Sequence, residues 1–133
     1  MAFKIKTSKK TEEILARLES SHNLPCYTLV KLAIALSLRD SRPLEEKDFK
    51  TNALGRELNR QTITGEADVL YKCLMELYAQ KHLTDDEFFP LHTKAHIDRG
   101  AVLLEQEARY GGDLLIHLTE LEKSIKFLTV MQQ

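Results

Sequence analysis

Apolar residues recur along this chain at spacings that predict a short strand followed by several amphipathic helices. The first segment, Phe3-Lys4-Ile5-Lys6, alternates apolar and basic residues. A period of two is typical of a strand with one buried and one exposed face. We therefore predict a strand over residues 3 to 7, in which Phe3 and Ile5 face the core and the two lysines project outward.

Two helices are predicted directly after this strand. Ser8 is a suitable N-cap for the first helix, and Pro25 suits the first turn of the second helix, which ends near Arg39. This order of strand, helix, turn and helix is found in ribbon-helix-helix DNA-binding proteins, where strands of two subunits pair. Because one short strand is not stable without a partner strand, the pattern predicts a ribbon that requires a second subunit.

The middle of the chain combines an irregular segment with two further helices. Residues 43–64 are irregular, with a short helix or turn around Gly55, and Thr64 is the predicted cap of the next helix. A longer helix is expected after Pro90, extending to about Tyr110, where two glycines end it. The helix that starts at Thr64 has a helical repeat of apolar residues, namely Leu70, Cys73, Leu74, Leu77 and Tyr78.

The last predicted helix covers about residues 113 to 129. Its apolar residues repeat at heptad spacing and are Leu114, Leu118, Leu121, Ile125 and Leu128. This seam is long enough to pack either against the same chain or against another copy. The fold class is therefore mainly α, with a short N-terminal strand followed by a helical bundle that is ribbon-helix-helix-like and oligomeric.

Length and composition indicate one globular domain over residues 1–133. The chain is 43% hydrophobic and 29% charged, which is ordinary for a globular protein. Cys26 and Cys73 form no C-x-x-C motif and lie in apolar helical patterns, which favours buried thiols over a redox or metal pair. No apolar run reaches the ~18 residues of a membrane span, and no secretory signal is recognisable. A cytoplasmic protein without membrane contact is expected.

Positive charge is concentrated at the beginning of the chain. The first ten residues contain four lysines and no acid, whereas the whole chain has a formal net charge of −1. The lysines are Lys4, Lys6, Lys9 and Lys10. One interpretation is that they contact the phosphates of DNA, since lysine suits phosphate contact better than base reading. The alternative is a solvated strand edge that prevents aggregation.

A second basic segment precedes the helix that begins at Thr64. Arg56 and Arg60 are four residues apart and are followed by a polar segment that leads to the helix N-terminus, where backbone N–H groups can bind an anion. A phosphate site is one interpretation. In the alternative, Arg60 pairs with Glu66 or Asp68 and fixes the loop.

The sequence offers little basis for catalysis. His92 and His96 stand at i and i+4, a workable spacing for a metal site, but no third ligand can be identified from spacing. No nucleophile motif, P-loop or dinucleotide-binding turn is present. No catalytic residue, metal or cofactor is therefore assigned, and surface or core histidines are the simpler interpretation.

Three stretches of the sequence resemble the DndE family of the bacterial DNA sulfur modification (phosphorothioation) system. They are residues 6–18, residues 33–38 and, most specifically, residues 57–71, which read ELNRQTITGEADVLY. Residues 96–100 add a weaker similarity. The resemblance implies a helical subunit related to the ribbon-helix-helix group, assembly into a homotetramer, and binding of duplex DNA with a preference for nicks.

The same resemblance implies that the partners are the other phosphorothioation proteins, which carry out the sulfur chemistry. The predicted function is therefore that of a DNA-binding component of this machinery. Two alternatives remain open: a metal-dependent DNA nickase using His92 and His96, and an assembly adaptor that does not bind DNA. The residues predicted to contact DNA are Lys4, Lys6, Lys9, Lys10, Arg17, Arg56 and Arg60.

Overall fold

A computed structural model describes residues 2–121 as a mainly helical fold with one two-stranded ribbon. This confirms the predicted mainly α fold with a short N-terminal strand followed by helices. None of the helices within residues 2–121 is long and apolar enough to cross a membrane. In chain order the elements are β1 (Lys4–Lys6), α1 (Lys9–His22), α2 (Cys26–Arg39), α3 (Glu46–Phe49), β2 (Glu57–Asn59), α4 (Arg60–Ile63), a 3₁₀ turn (Gly65–Ala67), α5 (Asp68–Ala79), α6 (Asp85–Glu87), a π-helical segment (Phe88–Thr93), α7 (Lys94–Ala108) and α8, described over 114–121.

The N-terminal ribbon forms within one chain. Strand β1 pairs antiparallel with β2, with Ile5 opposite Leu58, and both of these side chains are buried. The prediction that the ribbon requires a second subunit is therefore wrong, because the irregular segment around Gly55 leads into a strand of the same chain. The inward position predicted for Phe3 is also wrong, since this residue precedes β1 and is 63% exposed.

Helix α1 follows the local signals in its sequence. The Ser8 side chain accepts a hydrogen bond from the backbone N–H of Thr11, and Asn23 ends the helix in the left-handed conformation. The buried stripe of this helix includes Ile14, Leu15 and Leu18. These spacings place α1 against the core with its first turn beside the ribbon.

Helices α2 and α7 cross in very close contact at the centre of the fold. A Cβ atom added to Gly100 would lie 1.8 Å from the carbonyl oxygen of Ala33, so only glycine permits this approach. Pro90 lies in the π-helical segment before α7, where its missing N–H removes one regular helical hydrogen bond. The long helix predicted after Pro90 is confirmed.

Helix α5 has the predicted amphipathic pattern, but its apolar side faces away from the core. Met75 is its buried residue, whereas Val69 and Leu77 are each 74% exposed. Cys73 is exposed on the same side and Cys26 is half-buried, so the prediction of a buried thiol is wrong for Cys73. The sequence pattern identified an apolar face without showing what covers it.

Helix α8 packs on the core through two of its seam residues. Leu114 is buried, and Leu118 packs against the core from a half-buried position. The seam residues Ile125 and Leu128 lie outside the described residues. In the described part of α8, the heptad seam therefore packs at least partly within its own chain.

Candidate nucleic-acid interface

The predicted lysines lie together on the surface at the junction of β1 and α1. Lys4 and Lys6 are exposed on the outward side of the ribbon, and Lys9 and Lys10 are exposed in the first turn of α1. Across the ribbon, Lys4 is opposite Asn59 and Lys6 is opposite Glu57. The strand and the helix start thus bring four ammonium groups to neighbouring surface positions.

Three of these lysines have no ionic partner in the described part of the chain. Lys9 is 3.4 Å from Glu12 in an exposed pair, which is a weak interaction. Within residues 2–121, no ion pair forms at Lys4, Lys6 or Lys10. Their charges are therefore available to an external anion.

Backbone hydrogen bonds hold this lysine-bearing segment in place. The Thr7 N–H donates to the Arg56 carbonyl over 2.9 Å, and the Gly55 N–H donates to the Thr7 carbonyl over 2.9 Å. A Cβ on Gly55 would lie 2.2 Å from the Ser8 carbonyl oxygen. The loop before β2 therefore packs tightly against the β1–α1 junction, and the lysines extend from a fixed backbone.

The N-terminus of α1 is already neutralised by a carboxylate. Asp98 of α7 accepts hydrogen bonds from the Ser8 N–H at 3.1 Å and from the Thr11 hydroxyl at 2.7 Å. Its other oxygen lies 2.7 Å from the Lys94 ammonium. The positive end of the helix dipole is therefore matched internally, and the exposed lysine side chains are the cationic groups left for a ligand.

Arg60 has an internal role in the structure. Its guanidinium donates two hydrogen bonds to Asp68, at 2.8 and 2.9 Å, and two to Asp85, at 2.8 and 3.2 Å. It also donates to the Ala2 carbonyl and lies over the rings of Phe88 and Phe89. The hydrogen bonds of Arg60 lower the pKa of both carboxyl groups.

Arg60 is thus buried and its donors are used, which agrees with the alternative that it pairs with Asp68 and fixes the loop. Asp85 was missed because it lies 25 residues away in the sequence. The other two arginines also form ion pairs, Arg56 with Glu19 and Arg17 with Glu105. The Arg17 side chain remains 59% exposed, so it is the more accessible of these two.

A polar groove of about 700 Å³ extends the lysine surface along α1, α3 and α7. Lys10 of α1, Lys47 of α3 and Lys50 just after α3 all line this groove. The α3 lysines form exposed pairs with Glu45 and Glu46, which contribute little stability. The sequence did not reveal this groove, because Lys47 and Lys50 lie among acidic residues in a segment of mixed charge, and only the fold brings them to the same groove as Lys10.

His92 and His96 are both buried, the first in the π-helical segment and the second in α7. His96 Nδ1 lies 2.8 Å from the Ser37 hydroxyl, whereas His96 Nε2 and His92 Nδ1 are buried and have no hydrogen-bond partner within residues 2–121. Burial lowers the pKa of both imidazoles, that of His96 to about 3. Among residues 2–121, no group of three histidine, cysteine, aspartate or glutamate side chains is placed to hold a metal ion.

These histidines predict a loss of stability in weak acid. The ordinary histidine pKa is about 6.5. Below that pH His96 is protonated in the unfolded chain but stays neutral in the folded chain. Stability should fall as the pH decreases from 6.5 towards 3, by at most about 1.4 kcal/mol per pH unit for one histidine. Urea unfolding at several pH values should show a shallower dependence in His96→Gln. His82→Gln, at an exposed histidine, is the control, and an unchanged slope in His96→Gln would contradict the prediction.

Comparison with known proteins agrees with the resemblance seen in the sequence. The family described as DNA sulphur modification protein DndE matches residues 4–110. No sequence among curated proteins matches this chain.

Two crystal structures share the fold, each with a TM-score of 0.62. One is a glycine-to-lysine mutant of DndE involved in DNA phosphorothioation, with 16% identity over 77% of this chain and 97% of the other. The second is DndE from Escherichia coli B7A, with 17% identity over 76% of this chain and 96% of the other. At these identities the structural likeness establishes the fold, while the family match covers most of the sequence. The chain therefore belongs to the DndE family, which places it in the DNA phosphorothioation system.

Proposed function

We propose that this chain is a DNA-binding component of the phosphorothioation machinery and holds duplex DNA through its phosphate backbone. The main supporting observation is the exposed lysine group at the β1–α1 junction, three members of which have no ion pair within residues 2–121. The three arginines predicted to contact DNA are instead engaged with carboxylates of the same chain. In this proposal the lysines carry the contact and Arg60 fixes the fold behind them.

Phosphate contact is favoured over base reading by the chemistry of the ribbon face. Lys4 and Lys6 are flexible point charges that suit phosphates, whereas base edges are usually read by bidentate groups. Asn59 could read a base in principle, but its side-chain oxygen accepts the N–H of Gln61 at 2.9 Å and caps α4. Binding should therefore depend strongly on salt and weakly on sequence. Lys47 and Lys50 would extend the phosphate contacts along the polar groove.

Assembly into a homotetramer is part of this proposal. On the outer side of α5, Val69, Cys73 and Leu77 form an exposed apolar strip, and contiguous exposed apolar surface is typical of an interface. Copies joined through this strip would present several lysine groups to one duplex. A preference for nicked DNA, cytoplasmic location and contact with the other phosphorothioation proteins complete the proposal.

The proposal predicts a steep dependence of DNA affinity on salt. If each of two subunits contacts about three phosphates, the slope of log K against log salt concentration should be about −5 for duplex DNA. Fluorescence anisotropy of a labelled duplex between 50 and 300 mM salt measures this slope. A nearly flat response would rule out phosphate contact as the main interaction.

A gel shift with intact, nicked and single-stranded DNA, with and without EDTA, separates the proposal from both alternatives. A DNA-binding component should shift duplex DNA in EDTA, with the nicked form binding more tightly. Cleavage that needs Mg²⁺ or Mn²⁺ and is lost in His96→Ala would support a nickase instead. Absence of any shift at moderate salt would support an assembly adaptor.

A further inference from the structure

An apolar groove of about 610 Å³ lies between α2, α5 and α8, away from the lysine surface. Leu70 is 59% exposed and Leu74 is 40% exposed along its wall. A groove of this volume with solvent-exposed leucines along its wall is typical of a binding site. The groove is distinct from the outer strip of α5. Its apolar lining includes Leu32, Ala35, Leu36, Leu70, Leu74 and Leu118.

The charged residues that line this groove are both basic. Lys31 and Arg39 lie on α2 and are exposed, and neither forms an ion pair within residues 2–121. The Lys31 ammonium instead lies 5.7 Å from the centre of the Tyr27 ring. The two cations are eight residues apart, which corresponds to about 12 Å along a helix axis. The rim is therefore suited to two acidic groups at a similar separation.

We propose that this groove binds an amphipathic helix of another protein, with leucine-like residues along one face and acidic residues about eight positions apart. The apolar face of the helix would cover Leu70 and Leu74, and its acids would meet Lys31 and Arg39. This arrangement is the helix-in-groove mode of recognition, in which apolar residues at i, i+4 and i+7 anchor the helix. Partner choice would then depend on the sign of the flanking charges.

Charge favours a foreign helix over segments of this chain. Both acidic side chains of α5 already have partners in the same chain. Asp68 forms an ion pair with Arg60, and Glu76 accepts a hydrogen bond from the Leu83 N–H at 2.9 Å. The sequence of residues 122–133 contains two lysines and one glutamate, so its net charge has the same sign as the rim. An acidic helix from a different protein is the better electrostatic match.

The test uses two fluorescein-labelled synthetic helices and the full chain, without DNA. Both peptides carry leucines at i, i+4, i+7 and i+11; one has glutamates at the flanks and the other has lysines there. Anisotropy titrations should show the acidic peptide binding about 5- to 10-fold more tightly, as two partly exposed ion pairs would give. The exposed double variant Lys31→Glu/Arg39→Glu should reverse this preference.

Apolar contact is tested separately. Leu74→Ala should weaken both peptides by about 10-fold. Leu54→Ala is the matched control, because Leu54 is 73% exposed and lies outside the groove. Equal binding of the two peptides, or no binding, would overturn the proposal.

Two further results would assign the groove to the chain itself and overturn the proposal. One is a smaller oligomer for Leu74→Glu than for wild type in sedimentation, which would mean that a second copy fills the groove. The other is tighter binding by a peptide of residues 122–133 than by the acidic peptide. Neither result depends on DNA binding.

Discussion

Replacing Lys4, Lys6, Lys9 and Lys10 together by glutamate should weaken binding to duplex DNA by at least about 100-fold at 100 mM salt. The change removes four attractive charges per subunit and adds four repulsive ones at the proposed phosphate surface, and such contacts supply most of non-specific affinity. The dissociation constant is measured by fluorescence anisotropy with a labelled duplex. Retained affinity would move the contact surface elsewhere, first to the α3 lysines of the polar groove.

The fold should survive these substitutions. All four side chains are exposed, and glutamate in the first turn of α1 suits the helix dipole better than lysine does. Two sites are less favourable: at Lys6 a new glutamate would face Glu57 across the ribbon, and at Lys9 it would lie beside Glu12. A parallel lysine-to-glutamine set avoids that repulsion and should make the salt slope shallower, since each lost phosphate contact lowers its magnitude by about 0.9.

A matched control tests whether position matters or only net charge. The same charge change can be made at four exposed cations outside the N-terminal segment and the polar groove. These are Lys31, Arg39, Lys81 and Arg109. The control set should lose much less affinity than the N-terminal set. Equal losses in the two sets would mean that overall charge controls binding.

An intramolecular ribbon changes how this surface depends on assembly. Since β1 pairs with β2 of the same chain, each subunit can present its lysines without a strand from a partner. Assembly would then multiply the number of phosphate contacts without creating the surface itself. A monomeric variant is therefore expected to bind DNA weakly, with a smaller salt slope, while its ribbon stays intact.

Local signals made part of this fold predictable from the sequence. The cap at Ser8, the apolar spacing in α1 and the two glycines after residue 110 act over a few residues, and the corresponding helix limits are confirmed. The short strand β2 could not be found in this way. A strand of three residues is too short to show a periodicity. It forms because β1, more than 50 residues earlier, supplies its hydrogen-bonding partner.

Periodicity also identifies an apolar face without identifying its neighbour. The stripe of α5 fits a core helix as well as it fits an exposed interface, and the structure leaves Leu70 and Leu77 in solvent. The ion pairs of Arg60 in the candidate site show a similar limit. Its partner Asp68 is close in the sequence and was predicted, whereas its partner Asp85 is distant in the sequence and was not. The charge of the N-terminal segment was visible directly in the sequence, because all four lysines lie within the first ten residues.

Replacing Gly100 by alanine should destabilise the folded chain by about 3 kcal/mol or more. Inside a helix, alanine is ordinarily more stabilising than glycine by roughly 1 kcal/mol. The predicted loss of folding stability is therefore opposite in sign to the effect of helix propensity. The reason is the crossing of α2 and α7, where the new Cβ would lie 1.8 Å from the Ala33 carbonyl oxygen. Because backbone cannot rotate away as a side chain can, the two helices must separate and lose core contacts.

Chemical unfolding followed by circular dichroism measures this effect, at one fixed protein concentration so that any assembly contributes equally. Gln106→Ala, at an exposed position of α7, should change stability by less than about 0.5 kcal/mol. The decisive variant is Gly100→Ala combined with Ala33→Gly. Since the closest atoms of Ala33 are its carbonyl oxygen and carbon, removing its methyl group should not restore stability. Recovery in the double variant would show that side-chain crowding, and not backbone contact, sets the distance between these helices.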